Sequence, residues 1–322
     1  MTLIERLTSR MFPSRSAATS TAGGWSSSSH PETLTRLLSH VRAGRTPNQL
    51  FAGVSDDFWL WCLTEGYRED ERLRSVMPAY PPAEVQLRFA GASGDDTMRD
   101  AFNIYRLIRN LASQHLSRPM TSVMEFGSGW GRIIRCFSRE IDPHRLHGID
   151  CMPEAIDICK ATNPYAQFQL VDPFPPTTVA SDSFDVVYAY SVFSHLSEDA
   201  HLRWLSEFRR VLKPGGLLIA TTRPREFILA CQKAREEQED RFWARGLVVA
   251  FRDTRQALER FDRGEFLYEP VGGGGVLDAS FFGEACIPRQ YVVANWPRFF
   301  DFVDYLDDRA SCQQNVIVAR KR

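Results

Sequence analysis

The run Val123-Met124-Glu125-Phe126-Gly127-Ser128-Gly129-Trp130-Gly131-Arg132 has the order of a buried strand, a carboxylate near its tip, a glycine-rich turn and the start of a helix. A strand that feeds a helix through such a turn leaves room for a ligand at the helix N-terminus, where unpaired N–H groups point outward. Gly127, Gly129 and Gly131 let the backbone approach a ligand that a Cβ would push away. Glu125 discriminates between ligands: a carboxylate here repels a pyrophosphate and attracts a cation. The dinucleotide fingerprint is G-x-G-x-x-G, whereas this loop reads G-x-G-x-G, its third glycine one residue early. A tight strand-to-helix turn with no ligand would use the same glycines.

Downstream of this run the pattern alternates. Strands are expected at 122–126, 145–150, 166–171, 184–190 and 217–222, with helices at 129–139, from Pro153, and through Leu202, Leu205, Phe208 and Leu212. Repeated β-α units of this length give a parallel sheet with helices on both faces. A long helical insertion follows at about 225–263, then a loop with Gly272 to Gly275, a short helix at 288–296, and two apolar segments at 299–306 and 315–319. Those two, joined by a short polar loop, most simply pair antiparallel at one side of the sheet. Upstream, residues 31–118 read as a helical extension, with Met98, Ala101, Phe102, Tyr105, Ile108 and Ala112 at helical spacing. The expected fold class is therefore α/β: a Rossmann-like, doubly wound, mostly parallel seven-stranded sheet with an antiparallel last strand. The domain reading is a disordered tail at 1–30, the helical extension at 31–118, and an α/β domain at 119–322.

Four stretches in order make this chain resemble the class I S-adenosylmethionine-dependent methyltransferases. They are Glu125 to Gly131, Gly148-Ile149-Asp150, Val171-Asp172-Pro173-Phe174, and Val211-Leu212-Lys213-Pro214-Gly215-Gly216. The resemblance spans about 122–321 and implies S-adenosylmethionine as the cofactor. It implies that Glu125, Gly127, Ser128 and Gly129 bind that cofactor, Glu125 attracting its sulfonium and ammonium, and that Asp150 accepts from the ribose hydroxyls, a task that suits a strand-tip carboxylate. Cys151 and Met152 would lie beside the adenine, Asp172 would accept from its amino group, and Tyr190 and Ser191 would complete the cofactor site, Tyr190 having two alternatives: orienting the acceptor, or packing as a strand-end core residue. A dinucleotide enzyme also carries an acid about twenty residues downstream of the loop, so Asp150 alone does not discriminate. Asp172 is also an ordinary Asp-Pro turn former. Lys213 reads as a helix C-terminal cation, and Arg132 either reaches a carboxylate near the site or is solvated.

Methyl transfer depends mainly on alignment, with a base needed only if the acceptor carries a proton. His195 follows the fourth strand, and its pKa range suits that task, with an activity limb expected near pH 6–7; packing or capping the next helix is its structural alternative. The family's Asn-Pro-Pro-Tyr type motif is missing at this point, which counts against amino-methylation of nucleic acids and glutamine. Gly273 in the glycine loop, with Tyr268 before it and Glu284 after it, lies where this fold closes over the acceptor, so the three are the substrate candidates; a flexible surface linker is the alternative. The expected reaction is transfer to a small molecule or glycan, at oxygen. Carbon or nitrogen methylation and a silent cofactor-binding interaction protein are the alternatives.

At 322 residues, 43% hydrophobic and 25% charged, the composition is that of an ordinary globular protein. The net charge of −1 argues against nucleic acid as partner. Seven scattered cysteines without a C-x-x-C pair fit reduced thiols in a cytoplasmic protein, and no metal site is expected. No apolar run reaches the ~18 residues of a membrane span. Arg6, Arg10 and Arg15 beside Leu3, Ile4 and Leu7 would make a short basic amphipathic helix able to touch a membrane surface weakly.

Overall fold

A computed structural model describes residues 30–39, 44–238 and 245–322. All but His30 of the expected tail, with its basic amphipathic segment, lies outside the described residues. Among the described residues nine strands follow in chain order: β1 (Val123–Phe126), β2 (Leu146–Asp150), β3 (Gln167–Leu170), β4 (Phe184–Ala189), β5 (Leu212–Thr222), β6 (Leu267–Glu269), β7 (Glu284–Cys286), β8 (Asp301–Leu306) and β9 (Asn315–Arg320). Seven of them form one sheet in the order β3-β2-β1-β4-β5-β9-β8. The first four pairings are parallel, and β9 runs antiparallel to both β5 and β8. The chain reverses direction across the sheet beside β1, so the carboxyl ends of β1, β2 and β4 open onto a crevice at the switch point.

The central strands β1 and β4 are buried on both faces, while the edge strands β3 and β8 are partly exposed. All six residues of β4 are buried, Asp185 among them. Burial alone would raise its pKa, but Arg118, the Thr121 and Ser122 groups and Lys213 hold the carboxyl well below the usual range. Lys213 Nζ sits 3.0 Å from Asp185 and 2.9 Å from Ser122 Oγ. It is therefore the cross-brace between β5 and the start of β1, not a cation at a helix end, because the helix stops at Val211 and the lysine belongs to the strand.

One face of the sheet is covered by the helix Gly94–His115, which buries Met98, Ala101, Phe102, Tyr105, Ile108 and Ala112. The other is covered by Glu198–Val211, whose Trp204, Leu205 and Phe208 share a core with Trp296. The region after Thr222 is helical: Arg225–Glu236, Arg245–Val249 and Thr254–Asp262 surround a third cluster of Phe227, Cys231, Leu247 and Phe251.

Two local features differ from expectation. No α-helix follows the glycine turn; the chain makes turns and then a 3-10 helix, Ile134–Arg139. Gly127, Gly129 and Gly131 all take left-handed φ angles of 78°, 53° and 75°, which a right-handed helix cannot contain. The second is a short antiparallel ribbon of β6 and β7, three residues in each strand and too short to show periodicity. Its β7 end is stitched to the segment after β4: Gly283 N–H donates to the His195 carbonyl at 2.8 Å and Ala285 N–H to that of Ser194 at 2.7 Å. None of the described helices is long and apolar enough to cross a membrane.

Candidate active site

The turn after β1 folds back onto β2. Gly127 and Ser128 N–H groups donate to the Ile149 carbonyl at 2.8 and 3.2 Å, and Gly131 N–H to Ser128 at 2.8 Å. The donors are thus spent within the chain rather than pointed outward as a helix N-terminus would point them. A Cβ on Gly127 would stand 2.3 Å from Val192 Cγ2, so only glycine lets this turn touch the segment after β4.

Asp150 ends β2 and clamps the turn. One carboxylate oxygen accepts from Gly129 N–H and the other from Met152 N–H, each at 2.9 Å. Each oxygen keeps a lone pair. Burial raises its pKa, and the backbone N–H groups of Gly129, Met152 and Cys151 partly offset that.

Glu125 lies under the turn and is 3% exposed. Burial pushes its carboxyl up to about 8, against the weaker pull of the Arg132 charge. Its Oε2 and the Tyr188 hydroxyl are both buried without a hydrogen-bond partner. A buried carboxyl with an unmatched oxygen suits a cationic ligand group. Arg132 takes the first of its two sequence options: it reaches Asp100 at 3.3 Å, and its guanidinium lies 5.5 Å from the Tyr190 ring centroid.

These groups line one cleft of about 840 Å³, toward the upper end of the roughly 300–1,000 Å³ of small-molecule sites. Glu125, Gly127, Ser128, Gly129, Asp150, Cys151, Met152, Asp172, Tyr190, Ser191 and His195 all stand on its wall. Tyr268, Gly273 and Glu284 do not. Tyr268 donates its hydroxyl to the Ala279 carbonyl at 2.8 Å and pins the loop from behind. Gly273 packs over Leu277 and Phe282, which reach the cleft in its place. Glu284 is buried one layer back, paired with Arg223 at 3.2 Å.

Sequence reasoning passed over several lining groups. Leu87, Arg88 and Phe89 come from the end of the helix Ala83–Ala90, Gln313 and Gln314 from the β8–β9 loop, and Arg223 from the tip of β5. Only Arg223 carried a signal, a charged residue directly after a buried parallel strand.

His195 is held on four sides. Its Nδ1 lies 2.7 Å from the Gly283 carbonyl, so that nitrogen carries the proton. Its Nε2 faces Arg223 Nη2 at 3.4 Å, its ring stacks on Phe282 at 4.8 Å, and Glu284 lies 3.7 Å from Nδ1. Burial first, and Arg223 second among the lowering effects, bring its pKa below the usual histidine value, against the pull of Glu284. Its neutral form, with an Nε2 lone pair, is the one present at neutral pH. Among the described residues no group of three or more His, Cys, Asp or Glu could hold a metal ion.

A sequence model described as "Methyltransferase domain" matches residues 123–216, from β1 into β5. Many solved structures match this chain, three of them as follows. An S-adenosylmethionine-dependent methyltransferase of Methanosarcina mazei is 18% identical, with 66% of this chain and 96% of that one covered and a TM-score of 0.43. DesVI of Streptomyces venezuelae is 14% identical over 74% and 99%, with a TM-score of 0.44. The geranyl diphosphate C-methyltransferase of Streptomyces coelicolor A3(2), solved with Mg2+, geranyl diphosphate and S-adenosyl-L-homocysteine, is 11% identical over 82% and 98%, with a TM-score of 0.40.

Proposed function

We propose that this chain, whose residues 123–216 match a methyltransferase-domain model, uses S-adenosylmethionine to transfer a methyl group to a hydroxyl oxygen of a small molecule with an apolar body. When bound, the cofactor supplies an electrophilic methyl on a sulfonium, and the acceptor oxygen displaces a neutral thioether. Asp150 offers two lone pairs for the ribose, Asp172 an acceptor for the adenine amino group, and Glu125 a buried carboxylate for the cationic end. Tyr190 and Ser191 stand on the wall between that end and the acceptor.

The state of His195 carries the assignment of oxygen. Its proton is committed to Gly283, so the ring can only accept at Nε2, and a lowered pKa keeps it neutral. A group of that kind serves an acceptor that must lose a proton as it is methylated. The long contact from Arg223 can be displaced by an acceptor hydroxyl. Phe89, Phe227, Leu277, Phe281 and Phe282 line the cleft and suit an apolar or ring-bearing acceptor body. A glycan would use the same aromatic faces, and a panel of acceptors separates the two. The decisive experiment incubates the full chain with S-adenosylmethionine and a panel of phenols, aliphatic alcohols, glycosides and amines. S-adenosylhomocysteine release and the mass and site of methylation are then measured. Turnover confined to amines would overturn the reading.

Glu125 gives this reading a binding test. In the ligand-free protein most Glu125 carboxyls are protonated at neutral pH, since burial raises the pKa to about 8. A cationic ligand binds the carboxylate form, so binding releases a proton and affinity rises with pH. Calorimetry in buffers of different ionisation enthalpy is expected to show proton release and an affinity about 50-fold higher at pH 8 than at pH 6. Glu125→Gln is expected to weaken binding and to lose the proton release.

A further inference from the structure

Ser191 is one of four described non-glycine residues with a left-handed backbone, at φ 59°. A serine adopts that conformation reluctantly, and it persists only where surrounding contacts enforce it. Here the contacts come from two distant parts of the chain. Ser191 N–H donates to Thr221 Oγ1 at 2.8 Å, at the end of β5. Thr221 Oγ1 donates in turn to Gln314 Oε1 at 2.7 Å, and Gln314 Nε2 donates to Ser191 Oγ at 3.0 Å. The ring of three bonds ties the β4 tip, the β5 tip and the β8–β9 loop together.

The direction of these bonds follows from burial. Thr221 and Gln314 are both buried. Thr221 already accepts from Ser191, so its own proton must be given to something, and Gln314 Oε1 takes it. Turning the Gln314 amide over would set an N–H group against that hydroxyl and leave the threonine proton without an acceptor. With the amide fixed in this sense, Ser191 Oγ accepts from Gln314 and keeps its own proton as a donor. Ser191 and Gln314 both line the cleft.

We propose that Gln314 is a positioning residue which, through Ser191, presents a hydroxyl donor to the carboxylate at the amino-acid end of S-adenosylmethionine. The inference rests on the cofactor reading above. Its direction comes from the sheet. With the ribose at Asp150 on β2, the remainder of the cofactor would extend over the β1 turn toward the β4 tip, where Gly127 meets Val192 next to Ser191. The groups on that wall sort the two charges of an amino acid. Glu125 lies below the turn for the ammonium, while the Arg132 guanidinium, shared with Asp100, lies over Tyr190 next to Ser191. A donor hydroxyl there meets an oxygen rather than an ammonium.

The test compares two probes on the full chain by calorimetry: S-adenosylhomocysteine, which has the amino-acid end, and 5′-methylthioadenosine, which lacks it. Gln314→Leu is expected to weaken S-adenosylhomocysteine about 10-fold, as for a hydrogen bond to a charged group, and to leave methylthioadenosine within twofold. Ser191→Gly suits the left-handed backbone, so the fold survives while the hydroxyl is lost, and the same selective loss is expected. The double variant should be no weaker than either single one, since both remove the same contact. Gln314→Glu would take the serine proton for itself and weaken the S-adenosylhomocysteine complex at least as much as leucine does. Equal loss for both probes, or no loss with Gln314→Leu in a folded protein, overturns the proposal. If the unaltered chain binds neither probe, the cofactor reading itself fails, a result distinct from either.

Discussion

Asp150→Ala is expected to weaken binding of S-adenosylmethionine by about 100-fold, with the protein still folded. The residue has two tasks, and alanine ends both. Its lone pairs are the ribose acceptors, and hydrogen bonds to a charged group are worth about 1.5–3 kcal/mol. It also holds the glycine turn through Gly129 and the start of the next helix through Met152. Removing the carboxylate frees the turn that shapes the floor of the cleft, so the loss exceeds that of one contact. Asp150→Asn separates the two tasks. Its amide keeps an oxygen for one N–H and sets an NH2 against the other, so an intermediate loss is expected. Calorimetry with S-adenosylmethionine, beside a thermal midpoint for each variant, measures both effects. An affinity within threefold of the original in folded Asp150→Ala would remove the residue from the ribose.

The sheet was legible because its signals are local. Strands β1 and β4 announce themselves by wholly buried, mostly apolar runs and β2 is nearly as buried, whereas the polar, partly exposed β3 shows through its place in the β-α alternation. Glu125, Asp150 and Asp172 share one cleft wall because each stands at or just past the carboxyl end of a strand, and parallel strands bring those ends to one edge. The antiparallel pairing of the last two strands followed from the short loop between them. What stayed hidden depends on contacts far apart in sequence. Phe89 reaches the glycine turn from a helix that carries no motif, and Gln314 meets Ser191 across 123 positions. The substrate candidates show the same gap. The glycines after Tyr268 mark a turn, but which side chains such a turn points into a cleft is set by the ribbon of β6 and β7. That ribbon pairs with the segment after β4 and so delivers Phe282 to the cleft and Glu284 to the layer behind it. The missing α-helix after Trp130 has a local cause: three alternating left-handed glycines spend the donors that a helix N-terminus would have offered.

His195→Ala is expected to slow methyl transfer by about 100-fold, the scale of losing one general base, with S-adenosylhomocysteine affinity within threefold. The pH dependence carries more information than the rate alone. Burial lowers the pKa of His195, so the acid limb of activity is expected below the ordinary value of 6.5 rather than at 6–7, with a plateau above it. The same shift acts on stability. The unfolded chain takes up a proton near pH 6.5 and the folded one only at lower pH, so this residue's contribution falls as pH drops through 6.5. His195→Gln separates chemistry from packing. Glutamine can still donate to the Gly283 carbonyl and fill the space against Phe282, but it takes no proton near neutrality. If His195 is the base, the glutamine and alanine variants are equally slow, and both lose the acid limb. If it only packs, His195→Gln retains the rate per folded molecule and His195→Ala loses thermal stability. Single-turnover rates from pH 5 to 8, beside a thermal midpoint for each variant, decide between them. Full activity in folded His195→Ala would leave alignment in the cleft as the whole catalytic device.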